Sequence, residues 1–309
     1  MKPLAKGISI FLIWMGLGPA VAHAKLEIVA TTPDFGAIAR EIGGDRISVT
    51  ALAKPNEDPH FVDARPSFIL KLNRADALIE GGVELEAGWL PPLLEGARNP
   101  KIAPGAPGRI NGSEGVALLE TQVALDRSKG DVHGMGNPHF MTDPANGKLV
   151  AERICDALCR IEPVSCDTFR GNLSRFTSRL DAKLAEWQAL LGPYRGAQVV
   201  AYHNTWPYLA QRFGLRIDLF LEPKPGIPPT PANLAEVIAR MKEHRVRAII
   251  VEPYQNRKTA ETVARETGAA VLDFAQYPGG VKGAGESYID LFDYLVRSLA
   301  AALGGDAKR

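Results

Sequence analysis

Three of the six histidines stand in the same kind of place. His60 closes the polar loop Lys54-Pro55-Asn56-Glu57-Asp58-Pro59-His60. His139 lies in Asn137-Pro138-His139-Phe140-Met141-Thr142-Asp143-Pro144, and His203 opens His203-Asn204-Thr205-Trp206-Pro207. Each precedes a predicted helix, and His60 and His203 closely follow predicted strands. Loops at the carboxyl ends of parallel strands converge on a ligand crevice. Three imidazoles meeting there suit a borderline cation, above all Zn²⁺, at about 2.0–2.1 Å per bond. The neutral ring is the ligand, so binding weakens in acid. A single histidine of this kind is ordinarily a loop or core residue; the repeated placement makes the case. The others differ. His23 falls in a targeting segment, His133 in a glycine-rich loop, and His244 in the charged helix end Lys242-Glu243-His244-Arg245, a solvated surface.

The elements that would hold these loops alternate between strands and helices. Residues 26–31 read as a first strand, and Thr32-Pro33-Asp34 opens a helix stopped by Gly43-Gly44. A strand over 47–52, a helix from Pro66, a strand over 77–80 and a helix over 85–95 follow. Residues 97–137 are irregular, with a short strand near 116–119. Asp143 is placed to cap the next helix, with Pro144 in its first turn. Phe169, Leu173, Phe176, Leu180, Leu184, Trp187 and Leu191 then form one apolar stripe. That helix, 166–191, would be about 39 Å long at ~1.5 Å per residue, long enough to run along two lobes. Strands over 198–202, 215–221, 246–251 and 269–274 alternate with helices to the end. Alternation of this kind implies α/β lobes with mainly parallel sheets flanked by helices. The expected divisions are a targeting segment at 1–24, a first lobe at 25–165, a linking helix at 166–192 and a second lobe at 193–309.

Lys2 and Lys6, an apolar run over 7–17 and Ala22-His23-Ala24 have the pattern of a cleavable secretory signal. The run is short for a membrane span, so the mature chain is expected to be exported, most simply to a periplasm, with no membrane insertion. A net charge of +1 and 7% aromatic residues give no footprint for nucleic acid. In an oxidising compartment Cys166 is expected to bridge to Cys159 or Cys155, leaving one thiol over. The chain is read as a monomer.

Asn56-Glu57-Asp58-Pro59-His60 with Arg65-Pro66-Ser67 resembles the first-ligand region of the metal-specific solute-binding proteins of ABC importers, which include periplasmic zinc-binding proteins of the ZnuA type. The segment around Asn137-Pro138-His139 resembles their second-ligand motif. Val200-Ala201-Tyr202-His203-Asn204 resembles the third, and Glu252-Pro253 also fits. The resemblance runs in order through nearly the whole mature chain. It implies two α/β lobes joined by one long rigid helix, with a metal buried between them for delivery to a membrane permease, and no enzymatic activity. It makes His60, His139 and His203 ligands of Zn²⁺, with Mn²⁺ or Fe²⁺ as alternatives. Manganese-binding relatives tend to carry Glu at the third position, and imidazole there favours zinc. Relatives usually add an Asp from the second lobe. Here Asp273 falls a few residues early, so Asp273, water, Glu222 or Glu252 is expected to complete the shell. The long His-rich loop of many zinc members is reduced to Asp131 and His133. Two other readings fit three histidines: a zinc-dependent hydrolase, and an extracytoplasmic metal chaperone or adhesin of the same fold. Neither a His-Glu-x-x-His helix nor a Gly-x-Ser-x-Gly elbow occurs to support hydrolysis.

Overall fold

The structure is a computed structural model that describes residues 24–121, 134–224 and 226–305. The targeting segment, Asp131 and His133 lie outside the described residues, except for Ala24. The first sheet holds β1 (Leu26–Ala30), β2 (Ile47–Ala51), β3 (Ala77–Glu80) and β4 (Arg109–Asn111), all parallel, in the order β2-β1-β3-β4. The second holds β5 (Gln198–Ala201), β6 (Arg216–Phe220), β7 (Ala248–Val251) and β8 (Ala270–Asp273) in the matching order β6-β5-β7-β8, again all parallel. The chain is thus two α/β lobes, as the alternation of elements implies. Within each sheet the strand order reverses beside the first strand, and loops leaving such a point open into a crevice.

Helices cover both faces. In the first lobe these are α1 (Pro33–Gly43), α2 (Pro66–Arg74), α3 (Leu90–Ala97) and α4 (Asn146–Ile161). In the second they are α6 (Pro207–Phe213), α7 (Pro231–His244), α8 (Arg257–Thr267) and α9 (Tyr288–Gly304). Between them runs α5 (Cys166–Leu191), 26 residues long. Its predicted stripe is the buried one: Phe169, Phe176, Leu180, Trp187 and Leu191 are at most 1% exposed. The helix packs on α1 and α4 at one end and on α9 at the other. Asn172 Nδ2 donates to Ile42 O of α1 at 2.7 Å, and Trp187 Nε1 donates to Asp293 Oδ1 of α9 at 2.7 Å. One apolar core therefore continues through both lobes along α5, while two smaller cores lie under α2–α3 and under α7–α8. No helix among the described residues is long and apolar enough to cross a membrane.

Several local expectations are corrected. The strand expected near 116–119 is absent; the fourth strand is β4, where Ile110 pairs beside Ile79 and is buried. The helix expected over 85–95 begins only at Leu90, because turns carry the chain from Gly82 to Trp89, with Val83 and Glu84 at positive φ. Asp143 does not cap α4 directly. Its Oδ1 accepts from Ala145 N at 2.9 Å in the turn before the helix.

Cys159 and Cys166 form a disulfide between the end of α4 and the start of α5, and Cys155 is free and buried. The bridge closes a short loop, so the chain-entropy contribution is modest. Cys159→Ser is expected to lower unfolding free energy by about 2 kcal/mol, read as a shifted urea midpoint. An unshifted midpoint would show that packing of α4 on α5 alone fixes this corner.

Candidate metal centre

The three loop histidines meet where the carboxyl edges of the two sheets face each other. His60 comes from the loop after β2, His203 from two residues past β5, and His139 from the turn ahead of α4. Ring centres lie 5.0 Å apart for His60 and His139, 5.8 Å for His139 and His203, and 6.2 Å for His60 and His203. A point equidistant from the three centres lies about 3.3 Å from each. An imidazole bound through one nitrogen at 2.0–2.1 Å has its ring centre roughly 3.2 Å from the metal. The rings are thus spaced as ligation requires. Among the described residues no set of three or more His, Cys, Asp or Glu side chains is arranged to hold a metal ion as it stands. Ligation by the three would therefore need the rings to turn so that a nitrogen of each faces the centre.

Two of the rings are held by carboxylates at Nδ1. Asp58 Oδ1 stands 3.0 Å from His60 Nδ1, and Glu222 Oε2 stands 2.8 Å from His203 Nδ1. A carboxylate at Nδ1 favours the tautomer with the proton there. Asp58 also accepts from its own loop at His60 N, 3.0 Å. Burial alone would push the Asp58 carboxyl up; the hydrogen bond and charge of His60 outweigh it and hold the group below its usual range. Burial alone would push the His203 imidazole down, and the Glu222 hydrogen bond and charge reverse that to a raised value.

The His139 turn is held by both lobes. His139 N donates to Asn137 Oδ1 at 3.0 Å, and Thr142 Oγ1 donates to His139 O at 2.8 Å. From α6, Tyr208 Oη donates to Asn137 O at 2.6 Å, and Arg212 grips Asp143 with two bonds of 2.7 Å. From α9, Tyr288 Oη donates to Met141 O at 2.9 Å. Gly147 makes that approach feasible, since a Cβ there would stand 2.4 Å from the Tyr288 ring.

A family model described as "Zinc-uptake complex component A periplasmic" (ZnuA) matches residues 28–302. The chain belongs to this family. Similar proteins include the iron-binding protein YfeA of Yersinia pestis, 26% identical over 296 residues, spanning 93% of this chain and 89% of the relative. PsaA of Streptococcus anginosus, named a manganese ABC transporter substrate-binding lipoprotein, is 23% identical over 295 residues, spanning 93% and 92%. Among solved structures, ZnuA has a TM-score of 0.75 at 23% identity, covering 91% of this chain and 100% of that one. The Mn-bound periplasmic metal binding protein from Candidatus Liberibacter asiaticus has a TM-score of 0.73 at 20% identity, covering 91% and 100%. These structural likenesses concern the ZnuA fold.

Within this ZnuA-family fold, Asp273 is not brought to the three rings. It ends β8, the edge strand, with a side chain 48% exposed, and Arg257 of α8 takes its carboxylate at 2.8 and 3.3 Å. Glu222 is engaged behind His203. Glu252, one residue past β7, is different: it is 1% exposed, and Oε1 accepts from Trp206 Nε1 at 2.8 Å. Its Oε2 is buried with no hydrogen-bond partner among the described residues, and so is the Thr205 hydroxyl. Thr205 lies near enough to lower the Glu252 carboxyl somewhat but is not in hydrogen-bonding geometry with it. Burial pushes Glu252 up to about 7 against the opposing charge of His203.

Two more carboxyls are buried beneath the crevice. Burial raises Asp34 to about 6 and Glu86 to about 7, although Thr32 and Thr31 respectively donate to them. Folded values above the unfolded ones mean stability that is full below about pH 4 and lost as pH rises through 6–7. The metal-free protein is therefore expected to melt higher at pH 5 than at pH 8, with each carboxyl contributing on the order of 2 kcal/mol. Glu252→Gln, which cannot ionise, should flatten that slope in calorimetric scans. An unchanged slope would mean that Glu252 is not ionising in this range.

The orienting roles of Asp58 and Glu222, and the Arg212–Asp143 clamp, go beyond the sequence reading. The faint signals were the two-residue spacing of Asp58 from His60 and the place of Glu222 two residues past β6.

Proposed function

We propose that the protein captures one Zn²⁺ between its lobes in the periplasm and delivers it to the membrane permease of an ABC importer, without catalysing a reaction. The observation that carries this reading is the meeting of three imidazoles from both lobes, two with Nδ1 held by carboxylates. An all-nitrogen set favours zinc over the harder Mn²⁺, which prefers oxygen donors. The relatives named for iron and manganese make those metals the alternatives. His60, His139 and His203 are the proposed ligands. A water is proposed for the fourth position, with Glu252 Oε2 and the Thr205 hydroxyl accepting and donating around it; this meets the need of two buried polar atoms. Asp273, engaged by Arg257, is proposed to stay outside the shell. The cleft burial of the site makes binding tight, and release then requires the permease to part the loops.

The test is metal analysis of untagged protein, calorimetry with Zn²⁺, Mn²⁺ and Fe²⁺, and a zinc-loaded crystal structure. Zinc at one equivalent on the three imidazoles is the expected result. Preference for Mn²⁺, or a metal bound elsewhere, overturns the reading.

A further inference from the structure

The opposite edge of the second sheet carries a cavity of about 440 Å³ with strong positive character. It lies where β5 and β6 begin and just before β7. Strands of four residues at ~3.3 Å each place it about 13 Å or more from the edge that carries His203 and Glu252. Arg195, Arg216, His244, Arg245 and Arg247 line it, and no acidic side chain does among the described residues. The chain as a whole carries only +1, so this is a local concentration of charge.

The partners of these groups leave a surplus. Arg247 Nη1 donates to Leu303 O at the end of α9 (2.7 Å), and Arg216 stands 3.4 Å from Asp218. The side chains of Arg195 and Arg245 make no hydrogen bond or ion pair with the described residues. The Arg195 guanidinium lies over Gly214 at the end of α6, and Arg245 is the C-cap of α7. Cationic residues often sit at helix C-termini, where the dipole end amounts to roughly −0.5 charge. Three such ends total about −1.5, which four guanidiniums exceed even after Asp218 is counted. Arg245 also holds φ 53°, ψ 44°, the left-handed region where glycine is the usual C-cap residue. A neutral capping role would be met better by glycine. In the floor, Gln198 is 8% exposed; its Nε2 donates to Asp218 Oδ1 at 2.7 Å and its Oε1 is buried without a partner. The cavity thus offers several guanidinium forks and one acceptor.

We propose that this cavity binds a phosphate group that also bears a hydroxyl or a protonated oxygen. Arg195 and Arg245 supply the paired donors that match phosphate oxygens, and Gln198 Oε1 accepts from the hydroxyl. The group could belong to a soluble phosphate ester or to a phospholipid headgroup, which share this chemistry.

The full mature protein is titrated by calorimetry with inorganic phosphate and pyrophosphate, and floated with phosphatidylglycerol vesicles against phosphatidylcholine ones. The expected result is one saturable anion site, weakened at least ~10-fold in R195Q/R245Q, with the circular dichroism spectrum and zinc affinity of the wild type. Flotation with phosphatidylglycerol, competed by pyrophosphate, assigns the headgroup; binding of the free anions without flotation assigns a soluble ester. R245G separates recognition from helix capping, because it supplies the favoured cap residue yet should still lose anion affinity. No saturable binding in either arm, or equal affinity in R195Q/R245Q and wild type, overturns the proposal.

Discussion

Replacing His139 by alanine is expected to weaken zinc binding by on the order of 10³-fold, about 4 kcal/mol. His139 is 5% exposed, and hydrogen bonds involving Asn137, Thr142, Tyr208 and Tyr288 fix the turn that carries it. Asp58 and Glu222 are occupied behind the other two rings, and Asp273 is held by Arg257, so none of these three is free to replace it. His60→Ala and His203→Ala should act in the same direction, since each removes one of three nitrogens. Asp58→Ala and Glu222→Ala should cost less, about 10–100-fold, because they free a ring without deleting it. The graded order is the informative part. If all five variants lost the same affinity, the carboxylates would be ligands in their own right. Chelator-competition titrations at pH 7 and pH 5.5 give both the order and the proton competition, with affinity falling at the lower pH as imidazoles protonate. Wild-type affinity in any of the three histidine variants would remove that residue from the shell.

Periodicity alone was enough to locate α5, since an unbroken stripe from Phe169 to Leu191 admits one face and one partner surface at each end. The two sheets followed from strands that alternate with helices. The loop histidines were visible because each sits between a strand or turn and a helix. What was not legible depends on direction rather than composition. Asp273 is the residue type a metal shell would use, yet its place on an edge strand opposite Arg257 decides where the carboxylate goes. β4 is only three residues long and gains its identity from pairing with β3, so no local pattern announces it. Cys155 and Cys159 lie one turn apart on the same face of α4, so the choice of Cys159 as partner of Cys166 turns on which of the two turns reaches the start of α5. Asp143, read as a helix cap, proves to be half of a contact with Arg212, 69 residues away.

That contact is where the largest effect on the frame of the site is expected. Asp143 has a side chain only 10% exposed, and Arg212 meets it with two bonds of 2.7 Å, drawing the guanidinium's proton affinity up further. Arg212→Ala would strand a nearly buried carboxylate, a loss of about 2–4 kcal/mol of unfolding free energy once the one-third exposure of the arginine is allowed for. Asp143→Asn should cost less, because the amide can still accept from one guanidinium N–H. The same bond joins α6 of the second lobe to the turn that carries His139, while His203 stands just ahead of α6. Loosening it lets His139 and His203 move relative to each other, so zinc affinity should fall by about 10–100-fold even though no ligand is touched. A double-mutant cycle of Arg212→Ala and Asp143→Ala separates the pair from its surroundings. Coupling above about 1.5 kcal/mol in stability, accompanied by coupling in zinc affinity, identifies the clamp as the part that sets the spacing between lobes. Coupling in stability with additive effects on zinc would instead assign that spacing to the Tyr208 and Tyr288 bonds, which hold the same turn from α6 and α9.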